Sequence, residues 1–384
     1  TPPNGVSDSG STIEPDAGSV DAGVDCNAGI EASSDVVLTE RGPVRGQVTA
    51  EGRAFRGLPF VKPPVGALRW RPPEEDLTCW SGVRDAQQFG PQCPQMEQAQ
   101  GVPFDAGAPV MGAEDCLSAN VFTPTSAAPD AGLPVMVFIH GGGNTIGSAS
   151  EPLGPNQPNV ILYDGTRLAQ RGNVIVVTFQ YRLGVLGYLS TPVLDAETDG
   201  GVSGNFGLMD QQAALRWVRR NVREFGGDPS RVTIFGESAG AVNTCMHLGM
   251  PGSAGLFHRA IVQSGSCASA LTPDVRRGEA ALWLAGTGCS QVGDVPSCLR
   301  SLSTDALIRA YPVPVVVGER RPPVTWGPVV DGRVLPELPY EAMRNGRHNK
   351  VPLMVGSNTD ETSLTMPAIT TEAEYRAVIA TLLV

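Results

Sequence analysis

VTIFGESAGAVNTCMHL, Val232 to Leu248, is the stretch on which the fold turns. Val232-Thr233-Ile234-Phe235 is β-branched and aromatic and has the length of a buried strand, whereas Ala239 to Leu248 is an apolar run with helical spacing. Between them stand Gly236-Glu237-Ser238-Ala239-Gly240. A strand that enters a helix within so few residues must turn sharply, and glycine on each side of Ser238 leaves the backbone room to do so. The turn exposes the serine hydroxyl and aims the first N–H groups of the helix at whatever charge forms beside it. The bare Gly-x-Ser-x-Gly pattern is common by chance; the flanking strand and helix give it chemical meaning.

Apolar runs on either side extend the pattern. Ala119–Phe122, Leu133–Ile139, Val174–Phe179, Ala260–Val262 and Pro352–Val355 have buried-strand length, and Leu208 to Phe225 carries apolar residues at helical spacing. Strands apolar on both faces and separated by helices describe an α/β fold with a mostly parallel central sheet and helices on both faces. VVLTERGPVRGQVT from Val36 reads as an early hairpin, RAFRGLPF as a further short strand, and residues 63–111 as irregular surface. The strand Leu133–Ile139 runs into His140-Gly141-Gly142-Gly143. Consecutive glycines there can be a simple turn. They also let backbone N–H groups face a site without side-chain obstruction, so Gly142, Gly143 and the N–H of Ala239 make a candidate three-donor oxyanion hole.

Charge and cysteines narrow the class. The 384 residues carry a net charge of −11, and their adjacent basic pairs are isolated, so a nucleic-acid partner is not expected. No apolar stretch approaches the roughly eighteen residues of a membrane span. The eight cysteines lack metal-site spacing and read as disulfides of an oxidising compartment, with buried thiols as the alternative; no metal or cofactor is expected. Residues 1–34 are rich in Gly, Ser, Asp and Pro and nearly free of large apolar side chains. They are expected to be a disordered export linker ahead of a catalytic domain over 35–384, in an extracellular, periplasmic or cell-surface protein. The repeated Asp-Ala-Gly is similar to the flexible stalk of exported bacterial proteins. Oligomeric state is not legible.

Seven colinear blocks carry a family resemblance: RGLPFVKPPVGALRWRPP (56–73), EDCLSANVFTP (114–124), PVMVFIHGGG (134–143), QYRLGVLGYL (180–189), the run 204–241 through GESAGA, GLFHRAIVQSGS (255–266) and GPVVDG (327–332). The chain resembles the type-B carboxylesterases, relatives of cholinesterases and fungal lipases with the α/β-hydrolase fold. Asn144 stands where an aromatic usually follows the glycines. The resemblance implies hydrolysis of carboxylic esters through an acyl-enzyme on Ser238. It also implies Glu361 as the acid, Glu237 as an auxiliary carboxylate and Ser264 as a hydroxyl that bonds the acid. By position alone, Asp360 competes with Glu361, and Glu237 and Ser264 also read as solvated loop residues. The resemblance further implies bridges Cys93–Cys116 and Cys289–Cys298. Cys245 and Cys267 flank the serine region and are expected to pair, which leaves Cys26 with Cys79.

Chain order in this fold is serine, acid, histidine, yet no histidine follows Glu361. His140, His247, His258 and His348 each read as structural. TTEAEYRAVIATLLV begins a helix with a Thr371–Glu374 capping box and an apolar face. The expectation is therefore that the base and the C-terminal part of the domain lie beyond Val384, and that residues 1–384 alone have little activity. The Cys93–Cys116 loop has no Trp or Tyr, so an uncharged carboxylic ester is expected as the small-molecule substrate rather than a quaternary ammonium, with broad acceptance. A catalytically dead binding protein and an amidase or polyester hydrolase remain the rivals.

Overall fold

The computed structural model describes residues 25–97, 107–154, 156–198, 200–310, 326–361 and 369–376. Its main feature is an eight-stranded sheet. In chain order the strands are β1 (Gln47–Thr49), β2 (Gly52–Pro59), β3 (Ser118–Thr123), β4 (Leu133–Ile139), β5 (Ile175–Phe179), β6 (Gly227–Glu237), β7 (Arg259–Gln263) and β8 (Leu353–Gly356). Their spatial order is β8-β7-β6-β4-β5-β3-β2-β1. The five strands from β8 to β5 are parallel, and β3, β2 and β1 continue the sheet antiparallel. The hairpin expected near Val36 is present as Val36–Thr39 against Gly42–Arg45.

Helices cover both faces, as strands apolar at successive positions require. Phe55, Val121 and Val177 share a core with Ala214, Leu215 and Val218 of α3 (Phe206–Asn221), while their neighbours Ala54, Phe122 and Val176 pack with Ala169 of α1 (Thr166–Gly172). The alternation follows from the two-residue period of a strand. Between these helices in sequence lies α2 (Gly184–Tyr188); beyond them come α4 (Ala239–Gly249), directly after β6, and α5 (Pro273–Gly286).

Two expectations are corrected. Pro352–Val355 was read among the buried strands, but Leu353, Met354 and Val355 of β8 are 40%, 65% and 61% exposed. The reason is position: among the described residues β8 is the last strand of the sheet and pairs with β7 alone. An apolar run does not say whether its strand is central or at an edge. Residues 63–111, read as surface, also reach the interior, because Trp70 and Cys93 are buried.

Of the stretch expected to be a linker, residues 1–24 lie outside the described part. Cys26 is bonded to Cys79, and the Asn27 side chain donates to the Thr39 carbonyl. The other three bridges join Cys93 to Cys116, Cys245 to Cys267 and Cys289 to Cys298. At the other end, Thr371 and Glu374 bond reciprocally, Glu374 N–H to Thr371 Oγ1 at 3.2 Å and Thr371 N–H to Glu374 Oε2 at 3.0 Å, starting helical residues 372–376. Of the apolar face expected at 375–384, Tyr375 is exposed and residues 377–384 lie outside the described residues.

Candidate active site

Parallel register brings four strand ends to one edge of the sheet. Ile139 lies beside Gly236, Glu237 beside Gln263, and Gln263 beside Gly356. The next residues in each chain segment are therefore His140-Gly141, Ser238, Ser264 and the loop to Glu361. Carboxyl ends of parallel strands are where open α/β sheets place ligands.

Ser238 sits in the turn between β6 and α4 with φ 55° and ψ −122°, a left-handed strain for a residue with a side chain, and it is exposed. The flanking glycines are sterically compulsory. A Cβ on Gly240 would lie 2.0 Å from the Ile139 carbonyl oxygen, and one on Gly236 would lie 2.4 Å from the Gly240 carbonyl carbon. The glycine turn after β4 closes on the same point: a Cβ on Gly141 would be 3.3 Å from Ser238 Cβ. Gly142, Gly143 and Asn144 follow with φ of 101°, 63° and 57°. Among the described residues, no atom accepts a hydrogen bond from the N–H of Gly142, Gly143 or Ala239. Gly143 is exposed, Gly142 half-buried and Ala239 opens a helix, so these three N–H groups are free for an acceptor from outside.

The carboxylates divide by environment. Glu361 accepts from Asn358 N–H at 2.9 Å and from Ser264, and the Ser264 bond, first, and the Asn358 bond hold its pKa below the usual range. Ser264 has φ 58°, and its N–H donates to the Gly356 carbonyl, which aims its hydroxyl along β8 toward that loop. Glu237 is shifted the other way, by desolvation where its carboxylate tucks against Gly141 and then by the nearby Glu361 charge. Tyr163 packs against Phe138 with the rings tilted and is pushed up to about 12 by burial, with Glu151 and Glu237 adding to the shift. Tyr163 and Glu151 carried no motif and were not singled out from sequence.

None of the four histidines hydrogen-bonds Ser238 or Glu361 among the described residues. His140 is buried against Tyr181, with Nδ1 on its neighbour's carbonyl, and burial lowers its pKa to about 4. His247 is buried between Ser253 and Gln211 and lowered to about 3. His258 pairs with the Val232 backbone.

A family model described as the carboxylesterase family matches residues 33–380. The chain belongs to the carboxylesterase family. This carboxylesterase-family chain is 40% identical to the fumonisin B1 esterase of Sphingopyxis macrogoltabida over 324 residues, covering 84% of this chain and 55% of that protein. It is 37% identical to the para-nitrobenzyl esterase of Bacillus subtilis strain 168 over 326 residues, covering 85% of this chain and 63% of that protein. The solved structure of carboxylesterase EST55 of Geobacillus stearothermophilus superposes with a TM-score of 0.71 at 39% identity, covering 86% of this chain and 62% of that one. The sheet and its helices are thus the α/β-hydrolase fold of that family. The chain spans between about half and just under two thirds of the length of these relatives.

Among the described residues, no group of His, Cys, Asp and Glu is arranged to hold a metal, and no helix is long and apolar enough to cross a membrane.

Proposed function

We propose that this protein is a serine carboxylesterase that hydrolyses small uncharged esters through an acyl-enzyme on Ser238. The observation that carries the reading is the exposed Ser238 in its strained strand-to-helix turn, closed on by the glycine turn at Gly141, with the N–H groups of Gly142, Gly143 and Ala239 unclaimed by any described residue. Ser238 Oγ attacks the ester carbonyl carbon, and the carbonyl oxygen becomes an oxyanion held by those three donors. Collapse breaks the ester C–O bond and releases the alcohol. Water then attacks the acyl-enzyme through a second oxyanion in the same cradle, releasing the acid and restoring Ser238. Glu361, kept ionised by Ser264 and Asn358, is the acid that orients and stabilises an imidazolium.

Among the described residues, none of the four histidines hydrogen-bonds Glu361 or Ser238. Turnover by this polypeptide alone is therefore expected to fall ~10⁴–10⁶-fold below that of a site with all three members. The relatives' names agree with an ester substrate. We further place the protein in an oxidising compartment outside the cytoplasm, a reading supported by its four disulfides.

The test is covalent labelling of the full-length product of the encoding gene with an alkyl fluorophosphonate, followed by peptide mapping. Labelling at Ser238 that disappears in Ser238→Ala is the expected result. Folded protein that takes no label at Ser238 after prolonged exposure would overturn the esterase reading in favour of a binding protein. Ester and anilide substrates compared side by side separate an esterase from an amidase.

A further inference from the structure

We infer that Asn144 is a positioning residue, whose buried carboxamide clamps the glycine turn to the serine-bearing helix and so fixes the spacing between the two halves of the oxyanion cradle. The inference rests on the esterase reading above. Two donors of the cradle, Gly142 and Gly143, belong to the turn after β4, and the third, Ala239, is the first residue of α4. Nothing covalent nearby holds these two pieces together, since they are far apart in sequence. The charge that develops on a carbonyl oxygen is stabilised only while all three N–H groups converge on one point, and a displacement of about 1 Å is costly.

Asn144 is placed to prevent such a displacement. It is 5% exposed and ends the left-handed run of the turn with φ 57°, a conformation that asparagine tolerates better than other side chains. Its Oδ1 accepts from Asn243 Nδ2 of α4 at 2.7 Å and from the Tyr188 hydroxyl of α2 at 3.2 Å. Its main-chain carbonyl accepts from Gly184 N–H, at the start of α2, at 2.7 Å. Asn243 and Tyr188 are both fully buried, so neither bond competes with water. One side chain thereby joins the turn, the serine helix and a third element. An apolar side chain at this position would fill the space without making any of the three hold its distance.

Labelling kinetics of the full-length product with the alkyl fluorophosphonate separate this role from simple core packing. In the labelling step the Ser238 hydroxyl gives its proton to a base or to water, the Oγ–P bond forms, the P–F bond breaks and fluoride leaves, while the phosphoryl oxygen gains charge in the cradle. Asn144→Gly keeps the left-handed backbone and removes the clamp. It is expected to lower kinact about 10- to 100-fold while KI changes by less than about threefold. Asn144→Asp keeps the backbone conformation and an acceptor for Asn243 and Tyr188, and is expected to restore most of the rate. Asn243→Ala removes the donor from the helix side, gives the same test where Asn144→Gly fails to fold, and should add nothing when combined with Asn144→Gly.

A folded Asn144→Gly or Asn243→Ala protein that labels at the parent kinact overturns the positioning role and leaves the esterase reading intact. So does a double variant whose loss is the product of the two single losses. A parent protein that never labels at Ser238 overturns the esterase reading and the positioning role with it.

Discussion

In the proposed site, Ser264 is the residue through which the acid Glu361 is controlled. Its hydroxyl bond is the main cause that lowers the Glu361 pKa, so Glu361 stays a carboxylate to a lower pH than a free one. A carboxylate needed in its charged form is lost as pH falls through its folded pKa. Ser264→Ala raises that pKa toward the ordinary value, so the acid-side fall in Ser238 labelling should move to higher pH, with the plateau above pH 7 little changed. A pH profile of labelling for parent and variant checks this; coincident profiles would remove Ser264 from the role. Gly240 offers a harder test. A Cβ there meets the Ile139 and His140 carbonyl oxygens at 2.0 and 2.8 Å, backbone atoms that cannot swing aside. Gly240→Ala should therefore displace the turn, abolish labelling and cost about 1–3 kcal/mol of stability in urea unfolding.

At the scale of elements, the site depends on how α3 is tied to the segment after β5. Arg182 donates through Nε and Nη2 to Asp210 of α3, and the Arg182 N–H donates to the same carboxylate. Asp210 is completely buried, so desolvation raises its pKa even against the neighbouring guanidinium. Deleting one partner leaves the other charged and buried. Asp210→Ala should lose about 3–5 kcal/mol, measured as a lower urea midpoint. A loss below about 1 kcal/mol would show the pair to be solvated. The same scale explains the misread strand. β8 has the composition of the interior strands, and its parallel pairing with β7 is what carries the chain toward Glu361. Composition is a property of the strand; burial is a property of its neighbours, and among the described residues β8 has a strand on one side only.

For the whole molecule, His140 and His247 couple stability to pH. The folded state holds them neutral down to about 4 and about 3, whereas in the unfolded chain each protonates near its ordinary value of 6.5. Their contribution is complete above pH 6.5 and is lost as pH falls below it, at up to about 1.4 kcal/mol per pH unit for each histidine. Urea midpoints should thus drop between pH 7 and pH 5, and His247→Gln should show the shallower drop of one fewer proton. An unchanged slope would mean that His247 is already accessible to protons in the folded state. Because carboxylates titrate lower, the window just below pH 6.5 reports the histidines.

The sequence by itself determined the local chemistry: a strand, a serine between glycines and a helix, with three further glycines after another strand. Each of these follows from backbone sterics and short-range periodicity, which act over a few residues and are written in their order. It also indicated Glu361 and Ser264, through motif blocks rather than through any local physical signal. The tertiary structure decided what was adjacent to what. β4 lies beside β6 although α1, β5, α2 and α3 intervene, and only that order sets Gly141 against Ser238. Asn144 read as a departure from the family's aromatic, and its bond to Asn243 could not be foreseen, because a hydrogen bond across 99 residues depends on where two chain segments pack. Strand order, edge position and buried polar pairing are settled by long-range packing, to which the periodicity of a single segment carries no signal.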